Sequence, residues 1–131
     1  MAPDDIPPTL GIRHIALKVK DLDACEAFYA KVLGYKVEWR PDADNVYLTT
    51  GLDNLALHKD AGTGGGSLDH FGIMLRAAVD VDAWAARLKA HGVALAKEPK
   101  THRDGARSFY AADPEGNMIQ FIHHPPIAEK A

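Results

Sequence analysis

The sequence has 131 residues, of which 47% are hydrophobic and 25% charged, and its formal net charge is −3. This balance is typical of one globular domain with a hydrophobic core, and the negative charge argues against nucleic-acid binding. No apolar run is long enough to span a bilayer, residues 1–9 lack the features of a signal peptide, and Cys25 is the single cysteine. We therefore expect a cytoplasmic protein without membrane contact or an internal disulfide.

The first predicted elements of the two halves of the chain are alike. Residues 11–20 form a strand-like run with His14 near its start, and residues 67–76 form a second such run with His70. Between the halves, residues 61–67 read AGTGGGS, which is typical of a flexible linker. The pattern predicts an internal repeat whose two modules each begin with a histidine-bearing strand.

A helix and three strands are predicted to follow each of these runs. Asp21 and Asp80 are expected to cap helices with one apolar face, and Gly34 and Gly92 to end them. The predicted strands that follow are residues 36–40, 45–50 and 54–58 in the first half, and residues 93–97, 107–111 and 117–123 in the second. Each half therefore has the order βαβββ.

Alternation along the strands separates apolar faces from mixed faces. We expect the apolar faces to pack on the helices and the mixed faces to line a wettable interior. The predicted fold class is α+β: two βαβββ modules form a curved half-barrel sheet with the helices outside. The expected boundaries are a tail at 1–10, a single domain at 11–124 (module 11–60, linker 61–67, module 68–124) and a tail at 125–131.

Two segments resemble the vicinal-oxygen-chelate superfamily. They are HIALKVKDLDACEAFYAKVLGY at residues 14–35 and SFYAADPEGNMIQF at residues 108–121, and the resemblance covers roughly residues 11–124. This superfamily includes glyoxalase I, extradiol dioxygenases, fosfomycin-resistance thiol transferases and bleomycin-binding proteins. The resemblance implies a small-molecule substrate, a homodimer and a divalent metal ion such as Zn, Ni, Mn or Fe.

The resemblance also implies which residues bind the metal. Carried over, the ligand positions fall on His14, His70 and Gln120, and the internal repeat places Ala56 at the remaining position. Alanine cannot bind a metal, and glutamine carries no charge where the family usually has glutamate. Because a carboxylate normally offsets the charge of a divalent ion, we expect weaker metal retention than in the family type.

Further residues are candidates for substrate contact. His58 lies on the same predicted face as Ala56 and is our candidate for a catalytic base, although a strand-end histidine near solvent is the simpler interpretation. Arg107 is a candidate clamp for an anionic substrate group, against the simpler view of a solvated hairpin. Tyr110 resembles a substrate-contact tyrosine of the fosfomycin-resistance branch, and it also fits the core. Ala56 would line the pocket.

Three functions are compatible with this pattern. The first is a glyoxalase-like, metal-dependent lyase or isomerase that acts on a small oxygenated substrate chelated through neighbouring oxygens. The second is a metal-free binding protein of the bleomycin-resistance kind, which Ala56 and Gln120 favour. The third is an extradiol-type dioxygenase, which the missing carboxylate disfavours.

Overall fold

The computed structural model describes residue 10, residues 12–60, residue 68 and residues 70–128, without the side chain of Ala128. Its elements are β1 (His14–Val19), α1 (Leu22–Ala27), β2 (Lys36–Asp42), β3 (Asn45–Thr49), β4 (Asn54–Lys59), β5 (Phe71–Met74), α2 (Ala78–Ala90), β6 (Leu95–Thr101), β7 (Arg107–Ala112), β8 (Met118–His123) and α3 (Pro125–Ala128). The predicted linker at 61–67 and most of the predicted N-terminal tail lie outside the described residues. The predicted C-terminal tail begins with α3.

The strands form two open, four-stranded mixed sheets with the same topology. The first has the order β1-β4-β3-β2 and the second the order β5-β8-β7-β6. In each sheet the first strand runs parallel to the last strand of its module, and the other pairs are antiparallel. The predicted α+β fold of paired βαβββ modules is thereby confirmed.

Local chemistry explains the ends of the first helix. The carboxylate of Asp21 accepts a hydrogen bond of 3.0 Å from the backbone N–H of Ala24, which confirms Asp21 as its cap. α1 continues as a π-helical segment, Phe28–Val32, and the chain then turns at Gly34 with a φ of +84°. Only glycine adopts this backbone conformation without a steric penalty, so Gly34 ends the helix as predicted.

The cap predicted for the second helix was wrong. α2 has Ala77 as its N-cap, so Asp80 is the third helical residue. The Asp80 carboxylate instead accepts a bond of 3.1 Å from the backbone N–H of Ala77. An acidic side chain stabilises either position, because both lie beside unpaired N–H groups at the positive end of the helix dipole. None of the helices among the described residues is long and apolar enough to cross a membrane.

The strand registers define two faces for each sheet. We call the mixed faces the site faces. In the first module this face carries His14, Ala16, Lys18, Trp39, Asn45, Tyr47, Asn54, Ala56 and His58, and in the second it carries Gly72, Met74, Ser108, Tyr110, Ala112, Met118, Gln120 and Ile122. The opposite faces are largely apolar and pack against the helices: Trp84 of α2, for example, stacks on Phe121 of β8 with ring centroids 6.2 Å apart. Residues from both modules join in one buried core.

A tight turn between β7 and β8 joins the two modules. The phenol of Tyr29, in the first module, donates a 2.9 Å hydrogen bond to the carboxylate of Asp113 at the start of this turn. The Glu115 carboxylate accepts from the backbone N–H groups of Lys20 and Asp21, just before α1. Arg87 of α2 adds a 3.0 Å bond to the Val32 carbonyl. The N-terminal helix is thus held by the second module.

Burial in this core predicts loss of stability at alkaline pH. Burial, with Asp113 and Glu115 nearby, raises the pKa of the Cys25 thiol from 9.0 to about 12, and burial raises the pKa of Tyr29 as well. Below pH 9 the thiol is neutral in both states; between pH 9 and 12 only the unfolded chain releases its proton, so stability falls as pH rises. We expect the thiol alone to lower the free energy of unfolding by about 2 kcal/mol between pH 8 and 10.5, and the Tyr29 phenol to add to this loss above pH 10.

Urea unfolding at these two pH values measures that drop. In a Cys25→Ala variant the decrease should be smaller, because one of the groups that ionise only in the unfolded chain is absent. An equal decrease in both proteins would show that the thiol does not contribute.

Candidate functional site

The first candidate ligand, His14, is oriented by a chain of polar side chains. The Oδ1 atom of Asn54 lies 2.8 Å from the Nδ1 atom of His14, and the Nδ2 atom of Asn54 donates to the Glu38 carboxylate at 3.1 Å. Because Asn54 Oδ1 can only accept, the proton of the neutral imidazole is on Nδ1. The lone pair of Nε2 is left for a metal or a substrate, and the His14 side chain is exposed.

His58 is held in the same way. Its Nδ1 atom lies 2.6 Å from the Oδ1 atom of Asn45, whose Nδ2 atom donates to Asp42 at 2.8 Å. Hydrogen bonds from the backbone of Asp44 and the side chain of Asn45 lower the pKa of Asp42, which keeps this carboxylate ionised. His58 therefore also presents Nε2 as its acceptor, and the imidazole is half-buried.

An aromatic platform lies beside His58. The ring of Tyr47 meets that of His58 edge to face, with centroids 5.9 Å apart, and Trp39 stacks on Tyr47 at 5.2 Å. Trp39 is 59% exposed. Ala56 is fully buried and pairs with Tyr47 in the strand register, so it contributes only a methyl group next to the platform.

The second module carries the other candidate ligands. His70 immediately precedes β5, and its ring meets that of Tyr110 edge to face at 5.5 Å. The Nζ atom of Lys97 lies 5.4 Å from the centre of the Tyr110 ring. Gln120 is next to Gly72 and Tyr110 in the register. The structure thus brings His70, Tyr110 and Gln120 to one face.

Arg107 lies elsewhere. In β7 it shares its face with Phe109, and its guanidinium makes two bonds to the Asp82 carboxylate of α2, at 2.7 and 3.0 Å. This ion pair lowers the pKa of Asp82 and raises that of Arg107. Its third donor, Nη1, bonds to the Thr101 hydroxyl of β6 at 3.0 Å. Because these donors are engaged on the face opposite that of Gln120, we leave Arg107 out of the proposed pocket.

The two sets of candidate ligands lie on separate sheets. His14 is on β1 and His70 precedes β5, and these two strands are not hydrogen-bonded to each other. Among the residues that the structure describes, no group of three or more His, Cys, Asp and Glu side chains lies close enough to hold a metal. The candidate ligands of the two modules are therefore divided between two sheets.

The available donors fit a divalent metal in type but supply no negative charge. Imidazole nitrogen is a preferred ligand of Zn, Ni and Fe, and an amide oxygen suits the harder ions. The Asn54–Glu38 chain gives His14 the kind of second-shell hydrogen bond that ligating histidines almost always make. We therefore expect these donors to bind a divalent metal ion with modest affinity.

Sequence reasoning missed several of these partners. Asn45, Asn54 and Glu38 orient the histidines, while Trp39 and Tyr47 form the aromatic platform. The signal that could have found Asn45 and Tyr47 is the alternation in β3, which places both residues on the face of His58.

Two βαβββ modules with a histidine at matching positions, one opening β1 and one just before β5, define the class of paired-module, glyoxalase-like proteins. The chain belongs to the Glyoxalase/Bleomycin resistance protein/Dioxygenase superfamily, whose family model matches residues 11–121. The resemblance inferred from the sequence is therefore confirmed.

Three individual proteins illustrate what the chain is similar to. A trivalent organoarsenical cleaving enzyme from Thermomonospora curvata is 34% identical over 89 residues, which cover 67% of this chain and 59% of that protein. An enzyme of the same name from a Bacillus species is 26% identical, over 89% of this chain and 75% of its own. The crystal structure of lactoylglutathione lyase from Agrobacterium tumefaciens superposes with a TM-score of 0.77 at 27% identity, over 89% of this chain and 96% of that chain.

Proposed function

We propose that this protein is a metal-assisted lyase or isomerase that acts on a small oxygenated substrate bound on the site faces. His14, His70 and Gln120 are the proposed metal ligands and His58 is the proposed base. The observation that carries the proposal is the Glu38–Asn54–His14 chain, which fixes one tautomer of an exposed imidazole. This arrangement is typical of metal-ligating histidines.

The residues of the chain have separate roles in this proposal. When bound, a divalent ion supplies a Lewis acid for two neighbouring substrate oxygens. His58 accepts a proton from the substrate at Nε2, while Asn45 and the ionised Asp42 hold its ring and stabilise the positive charge. Tyr110, with Lys97 close to its ring, contacts the substrate from the second module.

Cleavage of trivalent organoarsenicals is not part of the proposal. Trivalent arsenic is a soft centre that prefers thiolate ligands. The single cysteine of this chain, Cys25, is fully buried, and its pKa is raised to about 12, so it presents no thiolate near neutral pH. This chain therefore offers no accessible thiolate that could bind the arsenic of such a substrate.

A second candidate function is the metal-free binding of a planar small molecule. Ala56 and the uncharged Gln120 favour it, because neither offers a carboxylate for a metal. The exposed Trp39, stacked on Tyr47, gives a flat ligand an aromatic surface. A dioxygenase is not proposed, because its iron site needs a carboxylate next to the two histidines.

We also propose that the protein works in the cytoplasm as a homodimer. The placement of His14 and His70 on separate sheets supports a site that each chain completes with residues of its partner. The exposure of His14 and Lys18 on the first site face supports the same view.

Metal content separates the two candidate functions. We expect the wild type to bind a divalent ion and to gain thermal stability from it, and the His14→Ala variant to lose both. A Gln120→Glu variant should bind metal about tenfold or more tightly, because a carboxylate offsets the ionic charge. Elemental analysis and thermal shifts with Zn, Ni, Mn and Fe measure these effects.

The matched control is His123→Ala, which removes an imidazole on the helix-facing side of β8. It should leave metal binding unchanged. Full metal content in the His14→Ala variant would contradict the metal-assisted function. Metal in Gln120→Glu but none in the wild type would favour the metal-free binding protein.

A further inference from the structure

A buried serine links Gln120 to a histidine that the proposed function does not use. The Oγ atom of Ser108 lies 2.9 Å from Nε2 of His102 and 3.2 Å from Nε2 of Gln120. Ser108 is 2% exposed, and these two nitrogens are the hydrogen-bond partners of its hydroxyl within the described part of the chain. Buried hydroxyl groups pay a large penalty when they are left unpaired, so this contact constrains all three side chains.

With Nε2 of Gln120 directed at Ser108, the chemistry of the three groups gives this hydrogen-bond chain one direction. The amide nitrogen of Gln120 can only donate, so Ser108 Oγ accepts from it. The hydroxyl proton of Ser108 then needs an acceptor, and Nε2 of His102 is the one within reach. His102 must therefore carry its proton on Nδ1 in the neutral state.

The backbone holds His102 in place for this contact. Its N–H donates a 2.7 Å bond to the carbonyl of Ala106, and its carbonyl accepts from Gly105 at 3.0 Å, which closes a tight turn between β6 and β7. Gly105 has a φ of +90°, a conformation that favours glycine. The turn thus sets the imidazole beside β7.

We propose that His102 and Ser108 are positioning residues that make Gln120 present its carbonyl oxygen, and not its NH₂ group, to the ligand on the site face. This inference rests on the proposed function, because the amide oxygen is the atom that would bind a metal. With Nε2 engaged by Ser108, Oε1 is the remaining polar atom of the side chain, and it accepts no hydrogen bond from any other described residue. Gly72, the neighbour of Gln120 in β5, has no side chain to cover it.

Reversing the side-chain amide of Gln120 would reverse the kind of ligand that this position selects. If the amide were reversed, its NH₂ group would face the ligand and would select an anion or a carbonyl acceptor rather than a cation. This change would also reverse the hydrogen bonds, since Ser108 would then donate to Oε1 of Gln120 and accept from a protonated Nε2 of His102. The polarity of this position is therefore coupled to the tautomer of a histidine that does not touch the ligand.

The orientation of Gln120 can be tested without a ligand. Gln120 is the only glutamine of the sequence, so its side-chain NH₂ signal has to be distinguished only from those of three asparagines. In ¹⁵N NMR spectra we expect the Gln120 NH₂ protons of the wild type to be well separated and to exchange slowly with water. The His102 ring should show a bare Nε2 nitrogen. In Ser108→Ala the Gln120 pair should move to the values of a free amide, and Ser108→Thr should restore it.

A metal titration provides the second measurement. Ser108→Ala should weaken metal binding about tenfold, as loss of a partner that orients a ligand usually does, and Ser108→Thr should recover it. An unchanged Gln120 NH₂ pair in Ser108→Ala, or a protonated Nε2 in His102, would overturn the inference even if the wild type binds metal. If the wild type binds no metal, the proposed function fails, while the NMR result still decides the orientation of Gln120.

Discussion

Replacing Asp113 with alanine is expected to destabilise the protein by about 3–5 kcal/mol, because several buried donors lose their acceptor at once. The Asp113 side chain is 4% exposed. It accepts from the Tyr29 phenol at 2.9 Å, from the Asn117 side chain at 2.8 Å, and from the backbone N–H groups of Glu115 and Asn117 at 2.9 Å each. Urea unfolding of the wild type and of Asp113→Ala at pH 7 measures this loss of stability, with each transition fitted to a two-state model.

Two matched variants separate the contributions of these bonds. Tyr29→Phe removes one donor and leaves the turn intact, so it should cost about 1 kcal/mol. Asp113→Asn keeps the size of the side chain and one acceptor oxygen. Its loss in free energy of unfolding should therefore lie between those of Tyr29→Phe and Asp113→Ala. A loss of less than about 1 kcal/mol in Asp113→Ala would show that water replaces these bonds without a penalty.

The contacts of this turn explain why its sequence is part of the segment that carries the family resemblance. The turn at residues 113–117 reads DPEGN, and its acidic side chains bind the helix of the first module and the backbone just before it. The motif therefore identifies a joint between modules rather than a group that touches the substrate. A sequence can show it clearly and still leave the reaction undefined.

Much of the fold could be predicted because its determinants are local. Alternation fixes which side chains share a face of each strand, and the glycines at positions 34 and 92 adopt positive φ values of 84° and 76°. The start of α2 was misplaced, since aspartate is favourable both as an N-cap and within the first helical turn. The face of Arg107 also follows from alternation, because Phe109 in the same strand belongs to the core.

The candidate site was harder to predict because it depends on contacts between distant residues. The spacing of His14 and Asn54 in the sequence gives no sign of their hydrogen bond, which exists only because β1 and β4 pair in parallel with that register. The same holds for His102, which reaches Ser108 across a turn. Sequence alternation predicts which residues share a face, but only the strand register shows which of them are joined by hydrogen bonds.

Mixed dimers should show whether the site lies between chains. Each single variant, His14→Ala or His70→Ala, is expected to bind no metal. If each site takes His14 from one chain and His70 from its partner, a dimer with one copy of each variant keeps one intact site, so about half of the wild-type metal content should return. The physical reason is the separation of β1 and β5 into different sheets within one chain. Co-expression with two affinity tags yields the mixed dimer, and elemental analysis under saturating metal measures its content.

The reciprocal pair is the control that makes this result unambiguous. A dimer of one wild-type chain and one chain with both substitutions should bind no metal if the sites are shared, because every site then lacks one imidazole. If each site lay within one chain, the outcome would reverse: the reciprocal dimer would keep about half of the metal and the first mixed dimer none. Placing all four chains in the Gln120→Glu background raises metal affinity without changing this logic. The two dimers contain the same number of each histidine, so only the geometry of the site distinguishes them.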